Sequence, residues 1–286
     1  MTASLIAITA VALIATALFF YRENNDVTIT RIEEPSDRVE NRIRIALISD
    51  LHGKSFGRGN AVLSGLIRAE RPDLVCFSGD LTDGRDRKGL KDRVGTDLLV
   101  DLAGSFPVFY IPGNHEKDGG DRIAWVNETL SRGGVRLMSF RTESITVGKS
   151  RVTVGGTEEL LPGASPSSLL ERLKGGEGLR VLLCHYPDMF EKYAGGGADL
   201  MLSGHAHGGQ IILPIIGGLY APGQGPLPKY YTGVHRLRGT TMVVSRGLGA
   251  SIFPTRLMNR PEIVIIDVEP KGKEKEREDA ANRNER

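Results

Sequence analysis

Five of the six histidines in this 286-residue chain sit in short motifs where an imidazole could do chemistry. The densest is Gly204-His205-Ala206-His207-Gly208-Gly209, two imidazoles two residues apart between glycines. Neutral imidazole is the commonest nitrogen ligand for metals at ordinary pH. Flanking glycines allow a sharp turn and leave room beside the rings. Alone, such a pair reads better as two polar loop residues. Its company changes the reading: Asp50-Leu51-His52, Gly79-Asp80, Gly113-Asn114-His115-Glu116 and His185, nearly all directly after short apolar runs.

Together these motifs offer two carboxylates (Asp50, Asp80), one amide oxygen (Asn114) and four imidazoles (His52, His185, His205, His207). No thiolate is required, and mixed oxygen and imidazole donors suit Mn, Fe, Zn or Co better than calcium, which takes oxygen alone. Seven donors exceed the needs of one tetrahedral ion and suit two ions sharing a carboxylate. Two ions about 4 Å apart can hold a phosphoryl group, generate hydroxide and neutralise the charge of an in-line displacement. Singly the residues are weak signals, because Asp after a strand is often a cap or a turn former. Jointly, five polar strand ends in an order that makes one site need a common explanation.

The elements that position them read as strand–helix units. Residues 43–49 form a core strand delivering Asp50, 74–78 one delivering Asp80, and 108–111 one delivering Asn114 and His115. Helical spacing appears over 60–69, 96–103 and 122–131 between them, with a charged loop at 83–93. Motifs at carboxyl ends of strands are where open α/β sheets carry sites. The second half is richer in short β-branched runs: 135–140, 144–147 and 152–154 suggest antiparallel strands. A short helix at 166–173 follows, then strands 181–184 and 199–202, which deliver His185 and His205. Residues 211–216 are an apolar run read as a core strand, 217–231 a Gly-, Pro- and Tyr-rich loop, and 241–245 and 263–268 closing strands.

Length suits one large domain with appendages. A net charge of +2 gives no bulk pull toward nucleic acid. Two cysteines, Cys76 and Cys184, each end an apolar run and read as buried small hydrophobes rather than a disulfide framework. Residues 4–21 are almost wholly apolar, just long enough to span a bilayer as a helix. No Lys or Arg precedes the run and no small-residue cleavage site follows it, which favours a retained single-pass anchor over a cleaved signal. Arg22 and Arg31 are too few to set orientation. The expected organisation is therefore an anchor at 1–21, a linker with an alternating edge strand (26–33) at 22–42, a catalytic domain at 43–269, and a charged, solvated tail at 270–286.

Asp50-x-His52, Gly79-Asp80, Gly113-Asn114-His115-Glu116, His185 and Gly204-His205-x-His207, in that order, resemble the calcineurin-like metallophosphoesterase superfamily over about residues 43–268. Gly208-Gly209-Gln210, Arg246-Gly247-Leu248-Gly249 and Asn259-Arg260-Pro261-Glu262-Ile263 resemble its membrane-anchored or exported branch, which includes phosphodiesterases and a pyrophosphohydrolase. The resemblance implies an α/β fold, a four-layer α/β/β/α sandwich. It implies one ion on Asp50, His52, Asp80 and His207 and a second on Asp80, Asn114, His185 and His205, with Asp80 bridging. A bridging hydroxide would attack phosphorus, and His115 would stabilise the transition state or protonate the leaving oxygen. Glu116 either orients His115 or forms a turn salt bridge. Asp83 falls where relatives carry an acid followed by arginine; here Gly84 follows, which puts that contact in doubt.

The expected activity is hydrolysis of phosphoric esters with two divalent ions, manganese first and Fe, Zn or Co as alternatives, on a phosphodiester or pyrophosphate before a monoester. The expected site is at a membrane, with the catalytic domain on the extracytoplasmic side. Residues 211–216, Leu219-Tyr220 and Tyr230-Tyr231 are either core and packed loop or a greasy wall for a lipid-linked or nucleotide-lipid substrate. Arg246 is a candidate for supporting the ligands or the substrate, and Arg256 and Arg260 for pairing phosphate. His235 has no motif around it. The competing readings are a non-catalytic metal-binding scaffold on the same fold, and a nuclease or protein phosphatase; near-neutral charge argues against extended nucleic-acid binding.

Overall fold

A computed structural model describes residues 2–86, 92–117, 122–158, 165–250, 253 and 255–272. The chain begins with helix α1 (Thr2–Asn25), then strand β1 (Thr28–Ser36). An alternating strand–helix run follows: β2 (Ile43–Ile48), α2 (Ala61–Glu70), β3 (Leu74–Ser78), α3 (Asp92–Ala103), β4 (Val108–Ile111), α4 (Asn114–Lys117), α5 (Arg122–Arg132) and β5 (Arg136–Leu137). The second half carries β6 (Thr142–Val147), β7 (Ser150–Gly156), α6 (Pro166–Lys174), β8 (Leu179–Leu183), α7 (Phe190–Tyr193) and β9 (Leu200–Ser203). Two small hairpins come next, β10 (Ile212–Leu213) with β11 (Gly217–Gly218) and β12 (Tyr220–Ala221) with β13 (Gly225–Pro226). The chain closes on β14 (Gly233–Leu237), β15 (Thr240–Val244) and β16 (Glu262–Pro270).

Two six-stranded sheets result, ordered β1-β16-β2-β3-β4-β5 and β14-β15-β9-β8-β7-β6. Strands β2 to β5 are mutually parallel, as are β7, β8, β9 and β15. Central strands are buried on both faces, which is why they read as continuous apolar runs. Alternation then divides each strand. Ile43, Ile45 and Leu47 face Val181, Leu183, Leu200 and Leu202 in the core between the sheets. Ala46, Ile48, Val75, Phe77 and Val108 face the other way, against Leu63 and Ile67 of α2, Leu98 and Leu102 of α3 and Leu130 of α5. Leu182, Met201 and Met242 of the second sheet meet Leu169 and Leu173 of α6, Phe190 and Tyr193. Helices, sheet, sheet and helices make the four layers.

Two sequence readings change. Residues 135–140 do not join an antiparallel group: Arg136 and Leu137 pair parallel with β4 at the edge of the first sheet. Of the three runs, the two that become β6 and β7 pair antiparallel. Residue pattern marks a strand but not its neighbour, and the length of α5 returns the chain to the first sheet. The run at 211–216 is not a core strand; its tip is solvent-facing, with Ile215 and Ile216 exposed. Strand β14, for which the sequence set no expectation, mixes polarities in its Gly-Val-His-Arg-Leu pattern because it is a half-buried edge. The N-terminal strand was expected at 26–33 and forms at Thr28–Ser36, parallel to β16. Its Pro35 is tolerated because β1 is an edge strand. Most of the charged tail, 273–286, and part of the charged loop, 87–91, lie outside the described residues.

Helix α1 runs four residues beyond the apolar stretch read from sequence. Its Ser4–Asn25 segment is long and apolar enough to cross a membrane, with an 18-residue stretch of mean hydropathy 2.2 that is not buried against the domain.

Candidate metal centre

Each candidate donor leaves the carboxyl end of a parallel strand. Asp50 and His52 follow β2, Asp80 follows β3 and Asn114 follows β4; His185 follows β8, and His205 and His207 follow β9. Because the sheets are stacked, the donors from β2–β4 meet those from β8 and β9 at one rim. All seven candidates arrive there, and among them only Asn114 is not fully buried.

They sort into two sets. In the first, Asp50, His52, Asp80 and His207 bring donor atoms within 4.8 Å of one another. His52 Nε2 lies 3.2 Å from His207 Nε2 and 3.7 Å from Asp80 Oδ2, and His207 Nε2 lies 3.5 Å from Asp50 Oδ1. In the second, His185 Nε2 lies 3.3 Å from the same Asp80 Oδ2, 3.3 Å from Asn114 Oδ1 and 3.1 Å from His205 Nδ1. Asp80 Oδ2 belongs to both sets.

The fit to divalent cations can be tested on these distances. Ligands about 2.0–2.2 Å from an ion stand about 3.0–3.5 Å from each other in tetrahedral or octahedral arrangements. The observed separations fall in or close to that range. The electrostatics agree. Burial pushes His52 and His205 down to about 3 and His207 well below the usual imidazole range, so those rings are neutral. Two neutral rings facing each other through Nε2 either share one N–H···N hydrogen bond or turn both lone pairs onto a cation between them. The remaining nitrogens, His52 Nδ1 and His207 Nδ1, are buried and have no partner among the described residues. His185 Nδ1 is 2.7 Å from the Ser78 carbonyl, to which it donates, leaving Nε2 for the second set. For His185 burial is outweighed by the carboxylates of Asp80 and Asp50 and the Ser78 carbonyl, which hold it up at about 10. Burial and the neighbouring Asp80 raise Asp50 to about 6, against the relief given by His185, Ser49 and the His205 N–H. Asp80 itself sits well below the usual range: burial opposes ionisation, but His185 and His52 override it.

The backbone is strained to achieve this. Asp50, His52, Asp80, His205 and His207 all have positive φ, between 48° and 65°. Such a conformation is uncommon outside glycine and concentrates at functional sites. Gly113 packs so closely on Asp80 that a Cβ would overlap the carboxylate. Gly79, at φ 95°, would place a Cβ 2.5 Å from the His185 ring.

Around the donors, four sequence readings are corrected. Glu116 neither orients His115 nor makes a turn salt bridge. Its buried carboxylate accepts from the backbone N–H groups of Asp80 (3.0 Å), Thr82 (2.8 Å) and Gly113 (2.6 Å), tying the Asp80 turn to the Asn114 turn. Burial and Asp80 raise it to about 7. The support expected after Asp83 is supplied one residue later: Arg85 Nε donates to Asp83 Oδ1 at 2.8 Å, and that oxygen is 3.5 Å from His115 Nδ1. Arg246 lies away from the donors, paired to Glu262 at 2.9 Å and to Thr28. Arg256 is fully buried and donates to the carbonyls of Gly249 and Asn259, while Arg260 pairs with Glu23 at 2.8 Å. His235 is on β14, donating to or accepting from nothing in the donor sets; its Nε2 meets the Thr232 carbonyl.

His115 stands beside the centre, its ring 4.4 Å from that of His52 and edge-on to it. The Gly84 N–H donates to its Nδ1 at 3.2 Å, so the neutral ring carries its proton on Nε2. Two supporting roles were not legible in sequence, although Asn259 stands in the closing Asn259–Ile263 motif. Tyr186 packs its ring on both His185 and His205, and adjacency to His185 was the only signal. Asn259 donates from Nδ2 to the carbonyls of His207 (2.7 Å) and Gln210 (3.0 Å), holding the His205–Gln210 turn from 49 or more residues away in sequence.

The rim of donors on stacked, parallel-rich sheets forms a candidate site for two metal ions. Residues 43–209 match the calcineurin-like phosphoesterase family model, and the chain belongs to that family of metal-dependent hydrolases. It is 33% identical over 208 residues to the uncharacterized metallophosphoesterase YkuE of Bacillus subtilis, covering 70% of this chain and 69% of that one. It is 29% identical over 234 residues to the phosphodiesterase YaeI of Escherichia coli (79% and 82% covered). A Bos taurus transmembrane protein with metallophosphoesterase domain is 27% identical over 258 residues, covering 83% of this chain and 56% of that one.

Proposed function

We propose that this chain is a membrane-anchored hydrolase of phosphoric esters that works with two divalent cations, on a phosphodiester or pyrophosphate in preference to a monoester. The observation that carries the reading is Asp80 Oδ2, shared by two donor sets with His115 beside them. Asp50, His52, Asp80 and His207 would hold one ion, and Asp80, Asn114, His185 and His205 the other. Manganese is the first ion to test, given oxygen and imidazole donors without thiolate. When bound, two such ions supply positive charge for a phosphoryl group and make water more acidic.

The chain's own residues do the rest. His115 Nε2–H is placed to bond a phosphoryl oxygen and to deliver a proton to the leaving oxygen as its bond to phosphorus breaks. Asp83, held by Arg85, faces Nδ1 and favours the doubly protonated ring, which passes its Nε2 proton to the leaving oxygen and returns to the neutral form. Glu116 keeps the Asp80 and Asn114 turns in register. In this reading α1 is retained as a single-pass anchor with the catalytic domain on the extracytoplasmic side, and the substrate is lipid-linked. An apolar helix of spanning length supports the anchor, and the family branch its side. The name of the Escherichia coli relative supports the ester class.

The test is turnover of a generic phosphodiester and a generic monoester by metal-stripped full-length protein reloaded separately with Mn, Zn, Fe, Co or Mg. Asp80→Asn is the control. Metal-dependent diester turnover lost in the control is expected. Two bound ions without turnover on any ester would instead indicate the scaffold.

A further inference from the structure

Helix α1 is not joined to the domain by a loose tether. Its last turn is built into the segment that supports the His205–Gln210 turn. Glu23 is 5% exposed, and its carboxylate accepts from Arg260 Nε at 2.8 Å and from the Asn259 N–H at 3.2 Å. The Asn24 side chain accepts from the Arg256 N–H at 2.8 Å and donates to the Arg256 carbonyl at 3.3 Å, while Lys54 donates to the Asn24 carbonyl. Asn259 in turn holds the His207 carbonyl. A buried carboxylate paired this way resists removal, because withdrawing it strands Arg260 and a backbone donor.

Beside this junction lies a second apolar element. Ile211 bridges Leu257, and the Ile212 N–H donates to the Leu257 carbonyl, so the β10–β11 hairpin grows directly from the segment that grips α1. Its tip exposes Ile215 completely (107%) and Ile216 by 58%; Met258, next to Leu257, is 51% exposed. Ile215 also has a φ of 72°. A β-branched residue there is a genuine outlier, and strain of this kind marks function more than fold. Three exposed aliphatic side chains on adjoining segments have no protein to cover them among the described residues.

Geometry identifies what does. Helix rise places Glu23 about 4–5 Å beyond Phe20, the last residue of the wholly apolar run. If α1 crosses a bilayer, its grip on Arg256–Arg260 sets that segment at headgroup depth, and the adjoining hairpin with it. We propose that Ile215, Ile216 and Met258 form a lipid-binding surface that seats the domain on the bilayer at a fixed height, with the metal centre opening at the headgroup layer. The inference rests on the anchoring reading above and names a lipid surface as the partner.

The test uses the full chain inserted in phosphatidylcholine vesicles. Ile216→Cys and, separately, Met258→Cys carry an environment-sensitive fluorophore, and Lys149→Cys serves as control. Lys149 is exposed and bonded to Asn41 just before β2, at the end of the sheets opposite the donors. Cys76 and Cys184 are buried, which directs the label to the new thiol. Side chains seated about 5–10 Å into the headgroup–acyl boundary should have their fluorescence at least about halved by shallow nitroxide lipids. The Lys149→Cys label should be unaffected. Protein that floats with the vesicles while both site labels behave like the control would overturn the surface and leave the anchor standing. Protein that does not float with them would overturn the anchoring reading itself. Neither outcome depends on catalytic turnover.

Discussion

The two ends of the same strands treat their polar groups, half-buried at one end and buried at the other, in opposite ways. At the amino ends, opposite charges meet pairwise. Arg44 forks onto Asp267 at 2.8 and 2.7 Å, and Arg180 onto Asp199 at 2.9 and 2.6 Å. At the carboxyl ends, two carboxylates and four imidazoles crowd together, five of the six on backbone bent into positive φ. Bidentate pairs stabilise the fold with no outside help. The other end is arranged for cations that the chain itself does not provide. The pairs at the start satisfy each other, whereas at the finish His52 Nδ1 and His207 Nδ1 have no partner among the described residues, and in the proposed function that end meets substrate.

The largest expected effect comes from the shared oxygen. Asp80→Asn should lower turnover by about 10³-fold or more. It should also reduce the bound metal measured by atomic emission. Unchanged metal content would break the contrast, because it would mean that the shared oxygen is not a ligand. Next is His115→Gln, expected to reduce kcat by about 10²–10⁴ while two ions still bind. Loss of metal in that variant would show His115 to be a ligand. Arg85→Ala should cost about 10–100-fold in kcat through Asp83, with metal content intact; an unchanged kcat would remove Asp83 from the mechanism.

The smallest effect belongs to the opposite end. Arg44 bonds hold the Asp267 carboxyl below its ordinary value, against the effect of burial. A depressed folded-state pKa contributes stability that is present above about pH 4 and is lost as pH falls through the folded value. Asp267→Asn should therefore destabilise by about 1–2 kcal/mol at neutral pH and by less at pH 3, measured by urea unfolding, with kcat unchanged. A fall in kcat would show the two ends to be coupled.

Much of this was legible in the chain. Residues 74–78 and 108–111 are strands because continuous apolar runs of that length fit only buried strands here, and Gly or Asn after them marks the turn. The donors were visible because motif order does not depend on packing. What escaped notice depends on contacts distant in sequence. The partner of residues 135–140, the exposure of 211–216 and the support of His207 by Asn259 each join segments that no local pattern relates. Asp83 and Arg85 show the same limit at short range: only the turn puts the guanidinium back on the carboxylate.

By itself the sequence determined which groups could bind a metal, which strands carry them and that an apolar helix precedes the domain, because these follow from side-chain chemistry and local periodicity. Tertiary structure alone decided that one oxygen of Asp80 serves both donor sets, that Glu116 binds backbone rather than His115, and that α1 is locked to the His207 turn through Glu23 and Asn259. Those are distances between stacked sheets and a helix end. They are set by how the layers pack, which no spacing along the chain encodes.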